Sequence, residues 1–290
     1  MREEPRLRVA AFRPDDDRLD SAVELLESLG ADPVPDPMLA VEPATAADDT
    51  DGDESDDDAD GDDDADGDDD DESDDDADGD GNDSPATPRT DADYVVLTSK
   101  TGVELAAEAG WDPGEATVCA IGDSTAEALH EAGYGVDIIP SEYSSTGLVE
   151  TLAGAVAGAR VEVARSDHGS AVLTDGLEAA GAYVHETVLY RLVRPPESGE
   201  SAELAASGDL DAALFTSSLT VEHFLDAAAD RGVREAAIDG LNEATVGAIG
   251  EPTRETAEDA GISVDVVPDR ADFEALACEA VEAAAPTHHE

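Results

Sequence analysis

The feature that most constrains the fold is a repeated order of strand–helix modules. Three kinds of module, which we call a, b and c, occur twice along the chain in the order a-b-c-a-b-c. Each pairs a short apolar run with a helix of apolar periodicity. Such alternation is typical of parallel sheets that helices cover on both faces. The sequence therefore predicts an α/β fold with two similar parallel-sheet domains.

Module a is a strand that ends in arginine, followed by a helix and a glycine that ends the helix. Its copies span 8–41 and 160–190, and the strand-end residues are Arg13 and Arg165. Each arginine can pair with the carboxylates of a ligand. Salt bridges to the acidic residues of the protein are the alternative, and the sequence leaves both open.

Modules b and c carry hydroxyl-rich motifs where a strand meets a helix. Module b is a buried strand, Thr-Ser and a helix, with copies at 93–103 and 211–221. Module c begins at 118 and 246 with a strand and Ile-Gly, followed by a helix. Third strands are predicted at 136–139 and 264–267, and a further helix after Pro140 and Pro268.

The motifs of modules b and c define a candidate binding edge, because ligands of open parallel sheets bind beyond the carboxyl ends of the strands. Helix N-termini offer unpaired N–H groups and a favourable dipole for anions. Ser, Thr and Asp are also ordinary N-caps, which explains any one motif alone. Their occurrence in symmetric pairs favours a cleft for a large anionic ligand that touches both halves. The motifs are Thr98-Ser99, Thr216-Ser217, Asp123-Ser124-Thr125, Glu251-Pro252-Thr253 and the hydroxyl run 144–146.

Tyr190 ends the last strand of the second module a, shortly before the Pro195-Pro196 pair. Its phenol can serve a ligand as a hydrogen-bond donor or acid. A half-buried aromatic at a domain junction is the alternative.

The charge is extreme and uneven. The chain has 74 acidic and 15 basic residues and a net charge of -59, and 24 of the 36 residues from 48 to 83 are acidic. That tract cannot bury apolar surface, so we expect a disordered insertion in an interdomain connection. The rest still has a net charge of -35 and a single lysine, Lys100. Such a composition suits concentrated intracellular salt, so we expect the cytoplasm of a halophile.

Several classes of function are excluded by composition and motif. The negative surface repels phosphates and anionic lipids, so neither nucleic acid nor membrane is an expected partner. No apolar stretch reaches membrane-spanning length, and no signal segment is expected. Phosphate-loop, dinucleotide, metal and serine-hydrolase motifs are missing. Cys119 and Cys278 lie in apolar runs, and we expect both in the core.

In their order and spacing, these motifs resemble the uroporphyrinogen-III synthase family. The resemblance covers nearly the whole chain except 46–89 and the extreme termini. The motifs that carry it are Phe12-Arg13-Pro14, Leu97-Thr98-Ser99, the run 120–126, Leu189-Tyr190, Phe215-Thr216-Ser217 and the run 248–253.

The resemblance implies two α/β domains joined by two extended connections. One domain comprises 1–40 and 196–290, the other comprises 91–190, and 41–90 and 191–195 are the connections. The module order alone would divide the chain near Gly158.

The resemblance also implies a cofactor-free cyclisation. Linear hydroxymethylbilane loses its hydroxyl as water, the cation attacks ring D at a substituted carbon, and a spiro intermediate reopens and closes to uroporphyrinogen III. Tyr190 matches the family tyrosine that assists departure of the hydroxyl. Among the substrate-binding candidates, which include Arg13 and Arg165, the following match positions that line the family's cleft: Ser99, Thr125, Ser145, Ser217 and Thr253.

Further expectations follow from the resemblance. We expect a monomer whose small-molecule substrate is handed over by the bilane-forming enzyme. The acidic insertion and Ala244, where some members carry a base, depart from the family pattern. Which tetrapyrrole is served (haem, sirohaem or a corrinoid such as cobalamin) stays open.

Two other functions remain as alternatives at this stage. One is a non-catalytic regulator that binds a tetrapyrrole or polyanion on the same two-domain fold. The other is an unrelated two-domain sugar or nucleotide binder, against which the missing phosphate motifs weigh.

Overall fold

The computed structural model describes residues 6–46 and 84–285. The acidic tract at 48–83 lies outside these residues, so its disorder stays a prediction. The chain divides into two compact units. Unit 1 comprises Met1–Val41 and Leu192–Glu290, and unit 2 comprises Glu42–Arg191.

Strands and helices alternate through most of the described residues. The strands are β1 (Arg8–Phe12), β2 (Asp32–Pro35), β3 (Ala40–Pro43), β4 (Tyr94–Leu97), β5 (Thr117–Ala120), β6 (Arg160–Ser166), β7 (Tyr183–Val193), β8 (Ala212–Phe215) and β9 (Thr245–Ala248). The helices are α1 (Asp17–Ser28), α2 (Lys100–Glu108), α3 (Asp123–Glu131), α4 (Ser145–Leu152), α5 (Ala171–Ala179), α6 (Glu200–Ser207), α7 (Ser218–Asp230), α8 (Arg234–Leu241), α9 (Glu251–Asp259) and α10 (Phe273–Ala284).

The sheet of unit 1 has the order β2-β1-β8-β9 among the described residues, and its strands are parallel. Phe12 of β1 lies beside Phe215 of β8, with ring centroids 4.5 Å apart, and Phe224 of α7 packs 5.3 Å from Phe12. All three rings are fully buried. Their large apolar area makes this cluster a main contributor to the core of unit 1.

The sheet of unit 2 has the order β3-β7-β6-β4-β5 among the described residues. Val161 and Val163 of β6 pack on α4 and α5 through Leu148, Leu152 and Leu173. The strands β3 and β7 carry the chain across the boundary between the units and are neighbours at one side of this sheet. The predicted class, two parallel-sheet α/β domains with extended connections, is confirmed.

The two copies of module a end their helices in the same way. Gly30 follows α1 with φ +84°, and Gly181 follows α5 with φ +89°. This left-handed region is accessible to glycine at little cost, so glycine ends each helix where module a requires it.

The predicted third strands at 136–139 and 264–267 are wrong as regular strands. Each region makes an isolated bridge, Ile138 with Cys119 and Val266 with Gly247. The cause is the same in both copies. The Asp137 carboxylate accepts a hydrogen bond from the N–H of Val118 at 2.9 Å, and Asp265 does so from Val246 at 2.9 Å. In each copy a carboxylate therefore accepts from a backbone N–H group that, in a regular strand pair, would donate to a backbone carbonyl.

The expectation of two core cysteines holds for one of them. Cys119 on β5 is buried, and burial raises the pKa of its thiol to about 12. Cys278 on α10 is exposed. It lies two positions from the buried residues Leu276 and Ala280, which places it on the opposite face of the helix.

The described residues contain neither a helix that could span a membrane nor a cluster of side chains that could bind a metal ion. Within 6–46 and 84–285, no helix has both the length and the apolarity that crossing a membrane requires. The same residues hold no group of three or more His, Cys, Asp or Glu side chains arranged to bind a metal ion.

Candidate functional site

The candidate site residues lie where parallel strands end and helices begin. In unit 2, α2 follows β4 and α3 follows β5. In unit 1, α7 follows β8 and α9 follows β9. Because β4 pairs with β5 and β8 pairs with β9 in parallel, the helix N-termini that follow the two strands of each pair lie at the same edge of their sheet.

The two serines of module b are N-caps. The Ser99 hydroxyl accepts a hydrogen bond from the Gly102 N–H at 3.0 Å. Ser217 forms a capping box with Thr220. Each serine therefore satisfies one N–H group of its own helix, and fewer of those groups remain for a ligand.

The two helices of module c begin differently. Their N-cap residues are Gly122 and Gly250, which supply no side-chain cap. Thr125 and Thr253 are buried in the first turns of these helices. The first N–H groups of α3 and α9 thus lack the side-chain acceptor that a serine gives α2 and α7, which favours module c for contact with an anion.

The third helix start in unit 2 lies within the predicted hydroxyl run 144–146. Ser144 is the N-cap of α4, and its hydroxyl accepts a hydrogen bond from the Gly147 N–H at 3.0 Å. Ser145 is the first helical residue. Three consecutive hydroxyl residues can each cap a helix, so the sequence alone does not distinguish them.

Tyr190 and Ser99 are brought together in unit 2. The Tyr190 side chain is buried, with 7% of the residue exposed, and its hydroxyl donates to the Ser99 Oγ at 3.0 Å. Gly102 permits this arrangement: a methyl group placed on it would lie 3.1 Å from the Ser99 Oγ and 3.2 Å from the Leu189 Cδ1. A phenol is thereby held beside the start of α2.

Arg165, also in unit 2, is buried and paired with an acidic residue. It is 5% exposed, and its guanidinium donates to the two carboxylate oxygens of Glu186 at 2.7 and 2.5 Å. A third donor reaches the Ser170 carbonyl at 2.6 Å. This bidentate pair is the salt-bridge alternative that the sequence left open, and it occupies the donors that a ligand would need.

Arg13, the equivalent residue of the first module a, has a different environment. Its guanidinium lies over the Phe273 ring, 4.5 Å from the centroid. Its Nε is buried and has no hydrogen-bond partner among the described residues. Burial, and to a smaller extent the nearby charge of Arg18, lower the pKa of Arg13.

Arg13 lines a pocket of about 370 Å³ in unit 1. The pocket also receives Ser217 from the start of α7 and Phe273 from the start of α10. Arg18 lines it too, but its side chain already bonds to the Asp16 carboxylate at 2.9 and 2.5 Å. Arg13 is therefore the better placed of the two to meet an anion.

Sequence reasoning missed two aromatic residues near these helix starts, one in each unit. Tyr143 immediately precedes the N-cap of α4, and Phe273 is the first residue of α10. Tyr143 lies three residues after Pro140, and Phe273 lies five residues after Pro268. An aromatic residue next to an N-cap and shortly after such a proline is the signal that would have identified them.

Comparison with known proteins connects this geometry to a family. A sequence profile described as "Uroporphyrinogen-III synthase HemD" matches residues 79–278. A Methanothermobacter thermautotrophicus protein named "Putative uroporphyrinogen-III synthase" is 37% identical over 187 residues, which cover 61% of this chain and 73% of that relative. An Archaeoglobus fulgidus protein of the same name is 27% identical over 176 residues, covering 60% of this chain and 73% of the relative.

A solved structure shares the fold. The crystal structure of a mutant uroporphyrinogen III synthase from the extremely thermophilic bacterium Thermus thermophilus matches with a TM-score of 0.59 and 20% sequence identity. The match covers 96% of this chain and 98% of that chain.

The different environments of the two strand-end arginines predict different effects on stability. Arg165→Met removes a buried guanidinium and both of its charge-assisted hydrogen bonds to Glu186, whose side chain is 33% exposed, so we expect a loss of about 2–3 kcal/mol in the free energy of unfolding. Arg13→Met removes a ring contact and an unpaired buried donor, so we expect a change of no more than about 1 kcal/mol. Urea unfolding of both variants measures this, and similar losses in the two would contradict the assignment.

Proposed function

The chain belongs to the uroporphyrinogen-III synthase family, and we propose that it converts linear hydroxymethylbilane into uroporphyrinogen III. The proposed reaction releases the terminal hydroxyl as water. The resulting cation attacks ring D at a substituted carbon, and the spiro intermediate opens and recloses with that ring inverted. One water leaves for each substrate cyclised, so the reaction balances without an oxidant or reductant.

The observation that carries this proposal is the hydrogen bond from Tyr190 to Ser99. Loss of a hydroxyl needs a proton or a strong hydrogen bond at the departing oxygen. The Tyr190 phenol is a donor, and its 3.0 Å bond to the Ser99 Oγ restricts its orientation. We propose that Tyr190 turns this donor to the departing hydroxyl, with Ser99 as its support.

Substrate binding is proposed to rest on local donors. The substrate carries eight carboxylates, which need positive or N–H groups at contact distance. Arg13 offers a guanidinium with an unpaired buried Nε. The uncapped first turns of α3 and α9, with Thr125 and Thr253, and the starts of α7 and α4, with Ser217 and Ser145, are the further candidates. Arg165 is left out because Glu186 holds its donors.

We further propose that the acidic composition is an adaptation to concentrated salt. The net charge of -59 opposes compaction through repulsion between carboxylates. At 1 M salt the screening length is about 3 Å, which removes most of this repulsion.

The test of the function is the isomer that the protein forms. Purified protein in about 1–2 M KCl, given hydroxymethylbilane, should yield mainly the type III isomer, because positioning by the protein is needed for ring inversion. The substrate alone closes to type I. Isomer separation by chromatography measures the ratio, with heat-denatured protein as the control. Type I alone from folded protein would contradict the proposal, and tight product binding without turnover would support a regulator instead.

Two variants separate chemistry from binding. Tyr190→Phe should lower kcat by about 100-fold or more, because the proton donor is lost. Arg13→Met should raise KM by about 10-fold or more, because a charge-assisted hydrogen bond is lost. Steady-state kinetics of both, beside urea unfolding to show that each folds, is the measurement. An unchanged kcat in Tyr190→Phe would remove that residue from the mechanism, and an unchanged KM in Arg13→Met would remove Arg13 from the binding site.

The salt proposal predicts that the free energy of unfolding rises by at least about 1 kcal/mol between 0.1 and 1 M KCl. Chloride is used because sulfate stabilises many proteins by exclusion from their surfaces. A chain that lacks 48–83 keeps a net charge of -35 and should retain most of the rise. A stability that does not depend on KCl would refute the proposal.

A further inference from the structure

Tyr143 is an exposed aromatic residue at the edge of the unit 2 sheet where the candidate site residues lie. The residue is 58% exposed. It lies on the short loop between Ile138, which bridges to β5, and the start of α4. The neighbouring strand of β5 is β4, which is followed by Ser99, the N-cap of α2.

The Tyr143 ring packs against the backbone of Gly122, the N-cap of α3, and this contact restricts its orientation. A methyl group placed on Gly122 would lie 3.0 Å from the Tyr143 Cγ and 3.2 Å from its Cδ2. Glycine therefore allows the ring to lie closer to the backbone than it could beside a residue with a side chain.

The phenol end of Tyr143 lies near the start of α3. Its interaction with the Asp123 carboxylate raises the pKa of the phenol. One side of the residue therefore contacts α3, and the rest of it is left to solvent.

The equivalent loop of unit 1 shows that this aromatic is not required by the fold. Tyr143 lies three residues after Pro140, and Ala271 lies three residues after Pro268. Both precede the N-cap of the next helix, Ser144 or Asp272. Alanine therefore suffices for the turn, and the tyrosine adds something that the turn does not need.

We propose that Tyr143 is a substrate-contacting residue whose exposed ring packs on a pyrrole ring of the bilane. This inference rests on the proposed function. Pyrrole rings are planar and π-rich, and pairs of aromatic rings attract each other beyond the burial of their surface. A ring that is held on one side loses little conformational freedom when it binds, which favours this role.

The experiment compares three variants with the wild type. Tyr143→Ala removes the ring and reproduces the residue found in the unit 1 loop. Tyr143→Phe keeps the ring and loses the hydroxyl. Tyr183→Ala is the matched control, because Tyr183 is 71% exposed but lies at the first residue of β7, toward the opposite end of that strand from Tyr190. KM, kcat and the type III fraction are measured for each, with urea unfolding.

We expect Tyr143→Ala to raise KM by about 3- to 10-fold and to lower the type III fraction, while its stability stays near that of the wild type. Tyr143→Phe should stay within about 2-fold of the wild type, because the ring is retained. Tyr183→Ala should match the wild type. An unchanged KM and product ratio in Tyr143→Ala, or equal effects in Tyr143→Ala and Tyr183→Ala, would overturn the inference.

A second measurement keeps this inference distinct from the proposed function. Uroporphyrin III, the stable oxidised macrocycle, is titrated into wild type and Tyr143→Ala, and quenching of its fluorescence gives the Kd. Weaker binding by the variant supports ring contact even if the wild type forms no type III isomer. Equal binding, or no binding by either protein, would overturn it.

Discussion

Pairing of β1 with β8 is the interaction on which unit 1 depends. Residues 9–12 align in parallel with residues 212–215, and the Arg8 N–H bonds to the Asp211 carboxylate 203 positions away in the chain. The Thr216 hydroxyl donates to the Phe12 carbonyl at 2.6 Å, which fixes the other end. Because β1 also pairs with β2, the amino-terminal segment supplies two neighbouring strands of the sheet. Unit 1 is therefore discontinuous in sequence, and the intervening residues form unit 2. An insertion such as 48–83 costs little in closure entropy, because that cost grows only with the logarithm of loop length.

Parallel pairing also explains why the repeated modules present comparable residues at comparable places. Positions that serve the backbone agree between the copies: Ser99 and Ser217 are both caps, and Asp137 and Asp265 both accept from the preceding strand. The strand-end arginines differ between the copies: Arg165 is held by Glu186, whereas Arg13 lies over Phe273. The duplicated fold is thus retained through caps and strand contacts. The chemistry of each copy is set by the residues that the backbone does not need.

Local rules were enough to locate most of the helices and strands, because periodicity and caps are short-range signals. Tyr190 and Ser99 were each identified at a strand end, but their hydrogen bond joins residues 91 positions apart and is visible only in the fold. The two strand-end arginines likewise differ only in their tertiary contacts. Arg165 is paired with Glu186, whereas the Nε of Arg13 has no hydrogen-bond partner among the described residues. A position at a strand end does not predict this difference. Helices α6 and α8 were missed because they are short and hold few large apolar residues, so their apolar patterns are weak. The close contact between them, where Gly240 lies against the Ala205 carbonyl, is again long-range.

The acidity of the chain and the proposed binding of an anionic substrate are compatible because surface charge and local donors act over different distances. Carboxylates on the surface are screened within about 3 Å at molar salt, while an N–H donor acts at contact. The helices α2, α4 and α7 have no acidic residue in the first turn. In α3 and α9 the first residue is acidic, but Asp123 is engaged by Tyr143 and Glu251 by Arg254 at 3.3 Å. Each first-turn carboxylate at these helix starts thus has a local partner, which reduces its repulsion of an approaching anion. A net charge of -59 therefore does not by itself prevent these helix starts from accepting an anion, because the few groups within contact distance decide that.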